Sequence, residues 1–348
     1  MIIYNFILII SIIIVFYSTN WFIIWCFIEL NTIIIITLIS QNSPRSTEAT
    51  AKYFLIQALA SVVILMGITL NYFILGSINV FGFYNPISYN LIIVSLLIKI
   101  ATFPNPFWFI DVISGLNISR SIYIIIFSKT IPIYIYFIIS PPNLSITISI
   151  VGILSIIYGS LLGINQLNTR KIIGLSSIAN LGWIIIGFPL LPGNTCLFIF
   201  FSYVFMLSPL LWSLSISNIN LLVKSSNAYY NNINIYFIII SLLSLGGLPP
   251  LLGFFYKWLI FNATITNSNF IICIIMLISS LFSLFFYLHL CFSFNGIYWP
   301  ELKILILLNF NKNNNLIIYI VFIITVLLNN LAIINISFIS PISASWWI

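Results

Sequence analysis

The chain has 348 residues, of which 62% are hydrophobic and 4% charged, with a mean hydropathy of +1.22. A soluble domain hides its apolar residues behind a surface about a quarter charged; this chain cannot, so composition implies an all-α polytopic membrane protein whose solvent is lipid. The net charge is +7, but its lysines and arginines are scattered with no run longer than the pair Arg170–Lys171, which excludes capture of a nucleic acid by a basic run.

Apolar runs of bilayer-spanning length predict about eleven transmembrane helices. They lie near 2–18, 21–40, 51–75, 88–109, 119–139, 144–163, 171–190, 195–217, 234–261, 269–293 and 315–335. The first run lacks both a basic n-region and a small-residue cleavage site, so it is expected to be a span and not a signal peptide. Connections are short and rich in Asn, Ser, Pro and Gly. They leave no room for a further domain, so a single transmembrane domain is expected over 1–348. Basic residues fall in every even-numbered connection: Arg45, Arg120, Arg170 with Lys171, Lys224, and Lys303 with Lys312. Odd-numbered connections such as SPPNL and LPGN carry none. The positive-inside rule therefore puts the N-terminus on the positive side and the C-terminus, with Trp346 and Trp347, opposite.

Four ionisable residues fall at membrane depth: Glu29 in span two, Lys99 in span four, Lys129 in span five and Lys257 in span nine. Each costs roughly 2.5–3.5 kcal/mol to insert near a helix centre, together on the order of 10 kcal/mol. Three lysines cannot each pair with one glutamate. At least one must face polar groups or water, where a lysine can exchange a proton and a permanently charged arginine cannot. The bland reading, structural ion pairs or snorkelling side chains, applies best to Lys99, nearest a span end.

Backbone breaks stand beside two of these lysines. Pro104 and Pro106 follow Lys99, and Gly246, Gly247, Pro249 and Pro250 precede Lys257. Proline removes a helix donor and clashes with the preceding turn, so helices near 88–109 and 234–261 are expected to be discontinuous. Freed carbonyls are tolerated at that depth only against protein or in a wet cavity, and water is expected to make a charged Lys257 affordable. An ordinary proline kink would explain either segment alone. The broken spans are five apart, which points to inverted five-helix repeats, 1–140 and 144–293, followed by a C-terminal helix at 315–335.

Cys26, Cys196, Cys273 and Cys291 occur without a paired spacing or clustered histidine and are expected to be buried thiols; no metal site is expected. His289 is expected to be a packing residue. Arg45, Glu48 and Lys52, at the start of span three, form either a solvated charge cluster or a subunit contact.

NWFIIWCFIELN, PRSTEATAKYFLIQALAS, LLIKIATFPNPFWFIDV, INQLNTRKIIGLSSIANLGW and SLGGLPPLLGFFYKWL occur in order between about residues 20 and 260. In these motifs the chain resembles the chain 2 family of antiporter-like membrane subunits of mitochondrial NADH–ubiquinone oxidoreductase, respiratory complex I. The resemblance implies a proton-translocating subunit of the mitochondrial inner membrane, N-terminus on the matrix side and C-terminus on the intermembrane-space side. It implies that Glu29 and Lys99 act as the pair of the first half-channel, Lys129 as the central relay and Lys257 as the second half's lysine. It also implies other membrane subunits of the complex and the lipid bilayer as partners, and no homo-oligomer. NADH, FMN, iron–sulfur clusters and ubiquinone would then be held by other subunits, with no cofactor on this chain. Where the family usually carries Pro-Phe-His after Lys99 and later Pro-Glu, this sequence has Pro106 in place of the histidine, and the carboxylate role would pass to Asp111. Charge pattern alone also admits a stand-alone cation/proton antiporter or a non-conducting membrane scaffold.

Overall fold

A computed structural model describes residues 2–82, 84–140, 144–217, 232–249 and 251–296. The eleventh expected span at 315–335, Lys224, Lys303, Lys312, Pro250, Trp346 and Trp347 lie outside them. The described residues are helical, with no strand beyond one isolated bridge between Asn20 and Asn79. Among the described residues, seven helical stretches are long and apolar enough to cross a membrane, and three shorter apolar helices accompany them. The chain divides into two compact units, Met1–Ser155 and the part beginning at Ile156.

The first unit contains α1 (Ile2–Tyr17), α2 (Trp21–Ile39), α3 (Pro44–Leu75), α4 (Pro86–Ile100), α5 (Phe107–Gly115), the short α6 (Ile118–Ile122) and α7 (Ser128–Ile139). A π-helical turn, Tyr123–Phe127, joins α6 to α7. Helix α1 buries Leu8, Ser11 and Val15, one narrow stripe at helical spacing, and exposes Ile3, Phe6, Ile9 and Ile13, as a helix with one protein-facing side must. Helix α3 packs against α2, α4 and α5. It begins at Pro44, earlier than the expected 51, because Ser43 caps it by accepting from the Ser46 N–H and Pro44 occupies the first turn, where its missing donor costs nothing. Arg45, Glu48 and Lys52 therefore ride on helix.

Alternate connections meet at opposite ends of this unit. Trp21 N–H donates to Ile78 O and Val80 N–H to Thr19 O, each 3.0 Å, tying the α1–α2 turn to the α3–α4 turn. At the other end the Arg120 guanidinium donates to Ser40 O, and Asn117 Nδ2 donates to Gln41 Oε1 at 3.2 Å.

Helix α8 (Ile146–Ile164) runs from the first unit into the second, which also contains α9 (Thr169–Gly187), α10 (Gly193–Ser217), α11 (Asn232–Gly246), α12 (Leu252–Thr266) and α13 (Phe270–Gly296). Helix α9 is buried along its whole length from Ile172 to Gly187, and its small residues, Gly174, Ser176, Ser177, Ala179 and Gly182, let neighbouring helices approach closely. Helix α13 exposes Ile271, Ile274, Leu277, Ile278, Leu281 and Phe285. Two expectations fail here. Cys26 is exposed while the other three cysteines are buried, and His289 is exposed rather than packed. A lipid-facing surface is as apolar as a helix interface, so hydropathy does not separate them.

Candidate functional site

Both expected breaks are present. Helix α4 stops at Ile100 because Ala101 adopts the left-handed conformation, φ 67°. Ala101 N–H then donates to Ile98 O and Thr102 N–H to Leu97 O, each 3.1 Å, the paired bonds of a Schellman ending. Lys99 lies in the last turn, where the negative end of the helix dipole favours a cation. Its side chain is 1% exposed and Nζ donates to Gln57 O of α3 at 3.2 Å.

Helix α11 ends the same way. Gly247 has φ 82°; its N–H donates to Ser244 O at 3.0 Å and Leu248 N–H to Leu243 O at 3.3 Å. That pattern leaves the last carbonyls, Leu245 and Gly246, for another donor. Lys257, in the second turn of α12, supplies it: Nζ lies 3.2 Å from Leu245 O and 3.1 Å from Gly246 O. The two carbonyls, expected to face water, accept from the lysine directly. The chain returns tightly enough that a Cβ on Gly253 would fall 1.5 Å from Ser244 O, and one on Gly247 would fall 3.1 Å from Lys257 Cδ. The Trp183 ring centroid lies 5.8 Å from Nζ, at the outer limit of cation–π attraction.

Lys129, 1% exposed, sits two residues after the π-helical turn and three before Pro132. Its ammonium lies 3.6 Å from the centroid of Phe109, a residue of α5, just after the first break. Quadrupole attraction of this kind is worth about 2 kcal/mol where water is excluded.

Glu29 faces the first unit's interior from α2. Its Oε1 is buried with no hydrogen-bond partner among the described residues, and its charge acts on Lys99 and Tyr53. The described ion pairs do not include it: they join Lys52 to Glu48 at 2.7 Å and to Asp111 at 3.7 Å. Glu29 and Lys99 thus interact across a gap. Asp111 stands apart from the buried residues, its side chain 61% exposed. The described residues contain no group of three His, Cys, Asp or Glu side chains suited to a metal ion.

Residues not singled out from the sequence complete this environment. Gln57 offers its carbonyl to Lys99 while its own Nε2 is buried with no partner among the described residues, and Phe109 covers Lys129. In the second unit, Tyr256 donates to Asn180 Oδ1 at 2.9 Å in a buried contact. A polar side chain inside an apolar span was the available signal for Gln57 and Asn180; nothing local marks Phe109.

Residues 18–283 match the model of the NADH:quinone oxidoreductase/Mrp antiporter transmembrane family. The NADH-ubiquinone oxidoreductase chain 2 of Oryzorictes hova is 38% identical over 291 residues, covering 82% of each chain. That of Bos taurus is 34% identical over 287 residues, covering 81% of each. The chain belongs to the NADH-ubiquinone oxidoreductase chain 2 family. The fold of this family member also matches a chain of respiratory complex I from Thermus thermophilus with bound aureothin, at a TM-score of 0.74 and 23% identity, over 80% of this chain and 66% of that one. A chain of the Mrp complex from Dietzia sp. matches at 0.76 and 18% identity, over 84% and 59%. These likenesses establish the antiporter-like helical membrane fold.

Proposed function

We propose that the protein is a proton-translocating membrane subunit of NADH:ubiquinone oxidoreductase, respiratory complex I, that moves protons through Glu29, Lys99, Lys129 and Lys257 while electrons pass through other subunits. Membership of the chain 2 family supports the assignment to the complex. The single observation that carries the mechanism is the set of three lysines, each no more than 6% exposed, of which Lys99 and Lys257 donate to backbone carbonyls and Lys129 stands over an aromatic ring. Carbonyls and a ring face stabilise the ammonium without neutralising it. Such a lysine gives up and regains a proton as nearby charge changes, whereas a lysine locked to a carboxylate does not. Proton transfer needs no redox centre on this chain, and NADH, FMN, iron–sulfur clusters and ubiquinone are assigned to other subunits.

The reading places the protein in the mitochondrial inner membrane, N-terminus in the matrix and C-terminus in the intermembrane space, among other membrane subunits and not as a homo-oligomer. Meeting of the even-numbered connections at one end of the first unit supports that topology, because the basic Arg120 lies there. Half-repeats 1–140 and 144–293 are part of the proposal, supported by a broken fourth span and a Schellman ending in each set of five. Asp111 enters as an exposed carboxylate of the first half, outside the buried relay.

Gentle solubilisation tests the assignment. Co-migration with a large NADH-oxidising assembly is expected; a small homo-oligomer that exchanges cations for protons would identify a stand-alone antiporter. Neutralising Lys99, Lys129 and Lys257 in turn tests the mechanism. Wild-type pumping in all three assembled variants would leave the protein a membrane scaffold.

A further inference from the structure

Beside the second break lies a group of polar side chains that helix packing alone does not require. Asn180 and Trp183 are one turn apart on α9. Tyr256 and Lys257 are adjacent on α12. Tyr256 reaches Asn180 and Lys257 faces Trp183, so the two pairs run side by side between the same helices. Tyr203 of α10 and Tyr287 of α13 converge on the same place, their hydroxyls acting electrostatically on each other and on Tyr256. The Tyr287 ring also borders the break itself: a Cβ on Gly246, whose carbonyl accepts from Lys257, would lie 3.6 Å from its Cδ2.

Tyr203 and Tyr287 are 2% exposed, Asn180 is 3% exposed and Tyr256 is 1% exposed. Among the described residues, Asn180 Nδ2, the Tyr203 hydroxyl and the Tyr287 hydroxyl are nonetheless buried without a hydrogen-bond partner. The Tyr203 hydroxyl lies beside Ser177, and that of Tyr287 beside Ser176 and Asn180, but no well-formed bond completes either. A buried polar group left unsatisfied costs about 1–3 kcal/mol, so three in one place need a common partner. Water, which both donates and accepts and is held where two to four polar atoms converge, meets that need.

We propose that Asn180, Tyr203, Tyr256 and Tyr287 bind ordered water and form the group with which Lys257 exchanges its proton. The inference rests on the relay reading of Lys257 given above. A proton leaving the ammonium passes to the nearest water or hydroxyl oxygen as that oxygen hands one of its own hydrogens to the next, and the last oxygen of the chain delivers one to the aqueous phase. Each oxygen ends with as many hydrogens as it began with, only N–H and O–H bonds change, and nothing is oxidised or reduced. Tyrosine hydroxyls suit the task because they both donate and accept. The Asn180 amide cannot pass a proton on, and holds Tyr256 and the water in line.

The test uses fully assembled complex in sealed vesicles, with Tyr287→Phe, Asn180→Leu and Lys257→Met compared with wild type. NADH oxidation by an artificial electron acceptor reads the redox subunits and is expected to be unchanged. Coupled NADH:quinone turnover and proton pumping are expected to fall by roughly a factor of ten or more in Tyr287→Phe and Asn180→Leu, less than the roughly 10²–10⁴-fold that a proton-transferring side chain contributes, because ordered water remains to carry part of the transfer. The solvent deuterium isotope effect on coupled turnover is expected to rise as proton transfer becomes limiting, a change that a packing defect would not produce. If Lys257→Met loses pumping while both cluster variants keep wild-type turnover and isotope effect, the cluster proposal is overturned and the relay reading stands. If Lys257→Met pumps normally, the relay reading falls first. A density map of the wild-type complex that resolves ordered waters decides the matter whatever the variants do. Water bridging the Tyr203 and Tyr287 hydroxyls is the expected result, and its absence overturns the proposal.

Discussion

The breaks after α4 and α11 use the same backbone ending but place the lysine on opposite sides of the gap. Lys99 belongs to the incoming helix and reaches sideways to a carbonyl of α3, Gln57 O. Lys257 belongs to the outgoing helix and reaches back to the two carbonyls that the Schellman bonds leave over. The residue in left-handed conformation is alanine at the first break and glycine at the second. A carboxylate, Glu29, acts on the first lysine, whereas the described contacts of the second are carbonyls and an aromatic face. The difference teaches that one chain stabilises a buried ammonium in two ways: by a charge at a distance, which Glu29 can lose on protonation, and by fixed backbone dipoles, which cannot be switched off.

Substitutions at the two breaks test that distinction. The largest effect is expected from Lys257→Met, which keeps the apolar stem but removes the proton-carrying group. Pumping in vesicles of assembled complex should drop by roughly tenfold or more, with assembly on native gels intact. Lys257→Arg should also impair pumping although it retains charge, because guanidinium does not release a proton. Equal pumping by the arginine variant and wild type would reduce Lys257 to a structural cation. Next comes Glu29→Gln, which removes the only charge distinguishing the first break. A loss of a few-fold in NADH-driven pumping is expected, on the order of 1 kcal/mol of coupling, with less harm to assembly. No loss would mean that Lys99, too, relies on dipoles alone.

The remaining pair exchanges the two left-handed residues. Gly247→Ala should destabilise the second break by about 1–2 kcal/mol through its positive φ, and by crowding the Lys257 side chain. It is read as a lower midpoint for thermal inactivation of coupled turnover. Ala101→Gly relieves the same strain at the first break and should be the smallest effect, a stabilisation of about 1 kcal/mol or less by the same measurement. If both changes moved the midpoint in the same direction, the two endings would not be equivalent in backbone energetics.

Much of this architecture was legible because the bilayer makes charge and broken backbone expensive. Lys99, Lys129 and Lys257 stand out in apolar spans, and the proline and glycine clusters at 104–106 and 246–250 announce discontinuity. Other features left no such trace. Ala101 terminates α4 in a conformation alanine does not advertise, and the prolines lie after the true end of the helix. Charges at Arg45, Glu48 and Lys52 hid the first two turns of α3, which a cap and a proline establish. Cys26 and His289 were misplaced because lipid and protein interior select the same residues. Tyr203, Tyr256 and Tyr287 read as ordinary span residues, and only their convergence from three helices reveals a polar group.

The π-helical turn at Tyr123–Phe127 bears on changes of chain length rather than of residue type. Removing one residue from an α-helix rotates everything beyond it by about 100°, which in α7 would swing each later side chain away from its neighbours. A π turn holds one residue more than an α-helical ladder requires. A single deletion within 123–127 can therefore be absorbed by regular helix, with Lys129 still facing Phe109. Relatives of the protein that differ in length within this span should carry the gap at these five positions.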